Sequence, residues 1–311
     1  MELIKTAGPQ INFAVVDLGS NTIRMTLYDV QEQGGFQALF SEKRMAGLVN
    51  YIQGGSLSRA GIEVACSALR GFQRLLAQFG SVPMHVFVTA SLRNIRNTEE
   101  VLTAIRESTG LEVEVISGEL EARYGCIGPL LTCPLAGGAV FDIGGGSTEI
   151  VRLENGKIIS AQSLDMGSLN LYNRYVSELW PSRPEIEDLA AAVRKKLRKA
   201  DLPKKPDPFI CGIGGTARAV LKIANQYLEK PESNRLITLA ELDRTASMLL
   251  DRKNTARKLI LKNCPDRVHT ILPGVIIMTT LTHKLCKEQL YISRYGVREG
   301  YLCQKLIKPG I

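Results

Sequence analysis

Two aspartates, Asp17 and Asp142, stand 125 residues apart inside the same local phrase, FAVVDLGSNTIRMTLYDV in one place and AVFDIGGGSTEIVRL in the other. In each copy an apolar run delivers the carboxylate to a turn of glycine and small polar residues, and a second run departs with strand-like alternation. Ile23, Met25 and Leu27 alternate with Arg24 and Thr26, the period of a half-buried strand. Such a turn suits an anion. Gly19 in one copy, and Gly144, Gly145 and Gly146 in the other, lack a Cβ, so their N–H groups can close on a phosphate as a concave nest. Asp17, Asp142 and Glu149 beside the turns are hard oxygen donors, the ligand type that Mg²⁺ or Mn²⁺ prefers. Phosphate held beside a divalent cation is the equipment of phosphoryl transfer.

A third glycine turn lies in PFICGIGGTARAVLKIA, where a buried-looking strand passes through Gly212, Gly214 and Gly215 into a helix opened by Thr216. Helix N-termini attract anions. A single glycine-rich turn is an ordinary tight turn. Two D-x-G hairpins followed by G-x-G-G-T are a more specific set, and they resemble the phosphate-1, phosphate-2 and adenosine motifs of the actin, Hsp70 and sugar-kinase superfamily. The resemblance implies an α/β protein of two actin-like (ribonuclease H-like) domains with a cleft between them.

Details within the motifs select a branch. Asp17-Leu18-Gly19-Ser20-Asn21-Thr22-Ile23-Arg24 resembles the D-x-G-S-N-S/T-x-R opening of the exopolyphosphatase and guanosine pentaphosphate phosphatase family. Asp142-Ile143-Gly144-Gly145-Gly146-Ser147-Thr148-Glu149 is similar to that family's second phosphate loop. Thr89 to Arg93 with Asn97, Ile116-Ser117-Gly118 with Glu121-Ala122-Arg123, and Ser293 with Gly296-Val297-Arg298-Glu299-Gly300 extend the likeness over nearly the whole chain. Two places depart from it. Leu120 stands where the family has the first of two paired acids, and Gly167-Ser168-Leu169-Asn170 replaces a usual G-A-V-R, so an arginine common there is absent.

The resemblance implies a Mg²⁺-dependent phosphohydrolase, with Mn²⁺ as an alternative ion, releasing the terminal phosphate of inorganic polyphosphate, of guanosine pentaphosphate, or of both. It carries over Glu121 as the carboxylate that activates water, with Glu119 as no assured substitute. Ser20, Asn21, Gly144, Gly145, Gly146, Ser147, Gly214 and Gly215 become phosphate-binding positions, with Arg93 and Arg267 as guanidinium partners. Arg267 reads equally as a surface arginine at a helix end. Asp17, Asp142 and Glu149 become metal ligands. A non-catalytic nucleotide or alarmone-binding sensor of the same fold is the alternative, favoured by Leu120 and Asn170. Larger family members add a helical domain with metal-ligand-like His and Asp; His85, His269 and His283 here have no ligand spacing and read as surface or packed histidines.

The elements that must position these residues follow from periodicity and turn residues. Strands near 13–17, 22–29 and 36–41 form a meander, a helix covers about 58–79, and a strand covers 84–90. Asn97 or Thr98 caps the next helix, and LEVEVIS supplies a further strand. The domains are expected at 1–125 and 126–311. A helix from about Glu119 leads into the second, which holds the Asp142 hairpin, the third glycine turn and helical segments at 239–261 and 267–288. A final helix from about 297 returns to the first.

A chain of 311 residues, 45% hydrophobic, can bury two substantial cores. It has no apolar stretch near the roughly 20 residues that span a membrane, and Met1 to Gln10 does not read as a secretory signal. Seven cysteines, odd in number and without C-x-x-C, read as reduced, buried residues of a cytoplasmic protein. The net charge of +8 concentrates in Arg194 to Lys199, Lys204, Lys205 and the run 251–258. Leu189, Val193 and Leu197 make the first of these runs one side of an amphipathic helix. Its basic side is either a solvated face or a rim that gathers polyanions. One Trp and no reader motif argue against nucleic acid as the partner; no membrane partner is expected, and a homodimer stays open.

Overall fold

The alternation around each aspartate becomes a strand hairpin in the computed structural model, which describes residues 11–31, 35–133, 135–251 and 254–307. The N-terminal stretch Met1 to Gln10 and Arg252 and Lys253 of the second basic run lie outside the described residues. The chain forms two compact units, one of Met1–Ser117 with Tyr301–Ile311 and one of Gly118–Gly300.

The first unit contains strands β1 (Ile11–Leu18), β2 (Thr22–Val30), β3 (Phe36–Met45), the short β4 (Ile52–Gln53) and β5 (Ser56–Leu57), β6 (Met84–Val88) and β7 (Val113–Val115). Its helices are α1 (Arg59–Leu76), α2 (Ala90–Arg93) and α3 (Thr98–Thr109). The main sheet has the order β3-β2-β1-β6-β7, with β1 antiparallel to β2 and parallel to β6. Ala14, Val16 and Leu18 share a core with Ile23, Met25 and Leu27 and with Leu69 and Phe72 of α1. The other face of β2 is covered as well, contrary to a half-buried strand: Thr26 and Tyr28 are buried, and Thr26 Oγ1 lies 3.1 Å from Ser41 Oγ of β3. Asn97 precedes α3 without capping it. Its amide brackets Leu57 instead, accepting from Leu57 N at 2.9 Å and donating to Leu57 O at 3.0 Å, so a contact 40 residues away wins over the local one.

The second unit opens with α4 (Gly118–Leu130) and continues through β8 (Gly138–Ile143), β9 (Thr148–Glu154), β10 (Lys157–Leu164), α5 (Ser168–Tyr175), α6 (Arg183–Leu197), β11 (Asp207–Ile213) and α7 (Gly214–Tyr227). It closes with β12 (Leu236–Thr238), α8 (Leu239–Leu250), α9 (Asn254–Asn263), α10 (Ile271–Leu285), β13 (Cys286–Ile292) and α11 (Val297–Tyr301), whose last residue belongs to the first unit. The sheet order β10-β9-β8-β11-β13-β12 repeats the first unit's plan, an antiparallel meander followed by parallel strands, and adds the antiparallel edge strand β12.

Alternation along β8 sorts its side chains. Ala139, Phe141 and Ile143 enter a core with Leu189, Val193 and Leu197 of α6 and with α7 and α10. Val140 shares the opposite core with Val151 of β9 and with Ala122 and Cys126 of α4, and Asp142 falls on that same face two residues on. The basic side of α6 is exposed, as its pattern requires, and Lys196 reaches Asp165 at 3.4 Å.

Two helical expectations need correction. The segment 239–261 divides into α8 and α9, with Asp251 closing α8. In 267–288 helix α10 stops at Leu285, and Cys286–Ile292 is a strand that pairs parallel with β11 and antiparallel with β12. Lys287, Glu288 and Gln289 are helix formers locally, and sheet pairing overrides them. Six of the seven cysteines are buried and Cys303 is partly so. Burial pushes the Cys126 thiol up to about 12. No helix among the described residues is long and apolar enough to cross a membrane.

Candidate active site

The first hairpin turn belongs to the first unit. Gly19 N–H donates to Thr22 O at 3.2 Å, and a Cβ on Gly19 would sit 2.9 Å from that oxygen, so the turn needs glycine there. The Ser20 and Asn21 carbonyls accept from Val49, Ala46 and Gly47, at 3.2, 3.1 and 2.9 Å, which fixes the turn to the segment after β3. Ser20 is buried. Asp17 is partly buried, directly opposite Arg24 in the β1–β2 register. Arg93 ends α2 and donates to Ile116 O at 3.2 Å.

The remaining candidates, Glu121, Asp142, Gly144 to Ser147, Glu149, Gly214, Gly215 and Arg267, all lie in the second unit. Asp142 and Glu149 are register partners across β8 and β9. Between them, Gly144 N–H donates to Ser147 O at 2.9 Å and closes the turn. The carbonyls of Gly144, Gly145 and Gly146 are taken by the start of α5. Gly144 O accepts from Ser168 N at 2.9 Å, Gly145 O from Leu169 N and Asn170 N at 3.0 and 3.1 Å, and Gly146 O from Asn170 Nδ2 at 3.0 Å. A trans peptide points its N–H away from its C=O, and no peptide in the described chain is cis. The amides of Gly145, Gly146 and Ser147 therefore point away from α5, together, as an anion nest requires. Gly167 makes this approach close, for a Cβ there would lie 2.1 Å from Gly145 O. Asn170, one of the departures in sequence, is a bracket that holds the turn.

The third glycine turn closes on the same aspartate. Gly214 has a φ of +79°, and a Cβ on it would lie 1.9 Å from Asp142 Oδ1; a Cβ on Gly215 would lie 1.9 Å from Arg267 Nη2. Thr216 Oγ1 donates to Ile143 O at 2.8 Å, tying α7 to β8. Arg267, which ends the short helical turn Pro265–Arg267, is thereby placed against the glycine turn, beside Asp142. Burial pushes the Asp142 carboxyl above the usual carboxylate range, and Arg218, Arg267 and Arg298 pull it back. Sequence reasoning gave Arg218 and Arg298 no role. The available signal was position: Arg218 sits four residues after Gly214, just past the first turn of the helix, and Arg298 lies two residues after Gly296, whose N–H donates to Glu299 Oε2 at 2.7 Å.

Glu121, Asp142 and Glu149 line one small cavity of about 10 Å³ with Ala122, Gly125 and Ile213. That is near the lower limit for a single water. Helix α4 decides which acid arrives there. Glu121 is 8% exposed, on the side that packs against the sheet. Glu119 is on the outer side, accepting from Arg123 Nε and Nη2 at 3.1 and 3.0 Å. Glu149 is 4% exposed and accepts from Ser163 Oγ at 2.7 Å.

Among the described residues no group of three or more His, Cys, Asp or Glu is gathered as a metal cage. Two adjacent carboxylates beside an anion nest fit Mg²⁺ in its usual manner, through one or two carboxylates with water and phosphate oxygens completing the shell.

A family model described as the Ppx/GppA phosphatase family matches residues 26–308. The chain belongs to the Ppx/GppA phosphatase family. It is similar to Exopolyphosphatase 1 of Mycobacterium tuberculosis (strain ATCC 25618 / H37Rv), 23% identical over 305 residues, which covers 95% of this chain and 88% of that protein. The crystal structure of the Aquifex aeolicus Ppx/GppA family member superposes with a TM-score of 0.79 at 26% identity, covering 97% of this chain and all of the other. An exopolyphosphatase from Cytophaga hutchinsonii ATCC 33406 shares the fold, with a TM-score of 0.82 at 21% identity over 94% of this chain and 96% of that one. The two-domain architecture is thus the actin-like one of the Ppx/GppA phosphatases.

Proposed function

We propose that this Ppx/GppA protein is a Mg²⁺-dependent phosphohydrolase that releases the terminal phosphate of inorganic polyphosphate, of guanosine pentaphosphate, or of both. The observation that carries the reading is the convergence of Glu121, Asp142 and Glu149 on one cavity of single-water size, next to the Gly144–Ser147 turn. The amides of Gly145, Gly146 and Ser147 hold the terminal phosphoryl oxygens, and Arg267, Arg218 and Arg298 supply positive charge close to Asp142. Glu121 accepts a proton as water attacks phosphorus and the bridging P–O bond breaks, the leaving oxygen departing on the shortened chain. Asp142 and Glu149 would hold Mg²⁺ or Mn²⁺, which when bound neutralises charge on the transferred phosphoryl group.

Incubation with long-chain polyphosphate and with guanosine pentaphosphate, each with Mg²⁺ and no acceptor, should release orthophosphate from at least one. Release from neither, with tight binding of either, would favour the sensor over the hydrolase.

A further inference from the structure

A second, larger cavity of about 570 Å³ flanks α7 within the same unit, well inside the roughly 300–1,000 Å³ range of ligand pockets. Arg218, Lys222, Lys230, Arg235 and Lys262 line it, against a single lining carboxylate, Glu232. Such a lining selects an anion. Arg218 and Lys222 share one face of α7 at i, i+4, about 6 Å apart along the axis. Lys222 and Lys262 are exposed and have no ion-pair partner among the described residues, whereas Lys230 already pairs with Glu241 at 2.5 Å. The Arg235 Nε is buried without a hydrogen-bond partner, a state that costs free energy until an acceptor arrives. Arg218 is the link to the active site: it lines this cavity and lies four residues along α7 from Gly214, the glycine that closes on Asp142.

We propose that this cavity binds the phosphates of the substrate beyond the terminal one, so that a condensed phosphate runs from the Gly144–Ser147 turn past Arg218 and along α7. The proposal rests on the phosphohydrolase reading for its substrate and on the cavity for its place. The phosphates could belong to an inorganic chain or to the second phosphate arm of a nucleotide, which share the same chemistry.

Binding of long-chain polyphosphate, tripolyphosphate and guanosine pentaphosphate is measured calorimetrically in EDTA, where no turnover occurs, on the intact protein and on the double variant Lys222→Gln/Lys262→Gln. Both lysines are exposed and outside the catalytic cluster, so the variant should keep the wild-type melting temperature. Loss of two charge-assisted contacts should weaken binding about tenfold while tripolyphosphate, too short to reach, changes by less than about twofold. A loss confined to long-chain polyphosphate assigns the cavity to the inorganic chain; one confined to guanosine pentaphosphate assigns it to the nucleotide's phosphates. Either supports the site. No loss with either ligand overturns it, as does an equal loss in Lys284→Gln/Lys287→Gln, which removes two exposed charges outside the cavity lining. An enzyme that releases phosphate yet is indifferent to Lys222 and Lys262 keeps the proposed activity and loses this site. A protein that releases none but depends on them keeps the site alone.

Discussion

Asp142 and Glu149 stand directly opposite each other across the β8–β9 pair, with Gly214 closed over the first and Ser163 bonded to the second. Like charges in direct cross-strand register repel. A divalent cation held between them would relieve that repulsion. Chelator should therefore abolish phosphate release, and Mg²⁺ or Mn²⁺ should restore it. In a Mg²⁺ titration Asp142→Asn should raise the half-activating concentration more than Glu149→Gln, because Glu149 already shares its carboxylate with Ser163. Asp17→Asn tests the first hairpin's share in the same titration. Full activity in excess EDTA would contradict the metal assignment.

Gly167 sets the shape of the phosphate turn. An added Cβ meets the Gly145 carbonyl at 2.1 Å, a backbone atom that cannot step aside as a side chain can, so Gly167→Ala should cost about 1–3 kcal/mol. Turnover should fall by more than the stability loss alone would produce, since the amides of Gly145 and Gly146 move with the carbonyl. Gly71 in α1 is the control, because a Cβ there meets nothing within 4 Å, and Gly71→Ala should stabilise the helix. Melting temperatures and phosphate release on the two variants check both halves; an active, wild-type-like Gly167→Ala would overturn the account of the turn.

Glu185 tests the helix that carries the basic run. It closes a capping box with Ser182 and also accepts from Ser177, and these hydrogen bonds hold its carboxyl well below the usual carboxylate range, at about 2. A depressed folded pKa adds stability above the unfolded value that disappears as pH falls through the folded one. Glu185→Gln should therefore lower the melting temperature at pH 7. The difference should shrink from about pH 4.5 downward and vanish near pH 2. An unchanged melting temperature at pH 7 would show that the box contributes nothing.

Much of the site was legible because its parts are local. The two D-x-G hairpins announce themselves through repetition, and their strands through period-2 alternation. The motif favours Glu121 over Glu119, and residues two apart on α4 face opposite ways, Glu121 toward the sheet and Glu119 outward. What stayed hidden depends on distant partners. Arg218 and Arg298 lie 80 residues apart in sequence and act on one carboxylate. Asn97 looks like a cap until Leu57 offers it a better bond. The helix-forming residues of β13 carry no sign of the strands β11 and β12 that capture them. Thr26 of β2 reads as part of an exposed face because its covering residue, Ser41, comes from a neighbouring strand.

Phosphate release by Glu121→Gln tests the central claim most directly. With Mg²⁺ and saturating polyphosphate or guanosine pentaphosphate, whichever the wild type cleaves, the variant should keep its KM and lose turnover by on the order of 10², the scale for removing a general base. Glu119→Gln, which breaks only the surface pair with Arg123, should stay close to wild type. Retention of more than half the wild-type kcat by Glu121→Gln would remove that carboxylate from the reaction and with it the mechanism built on the shared cavity.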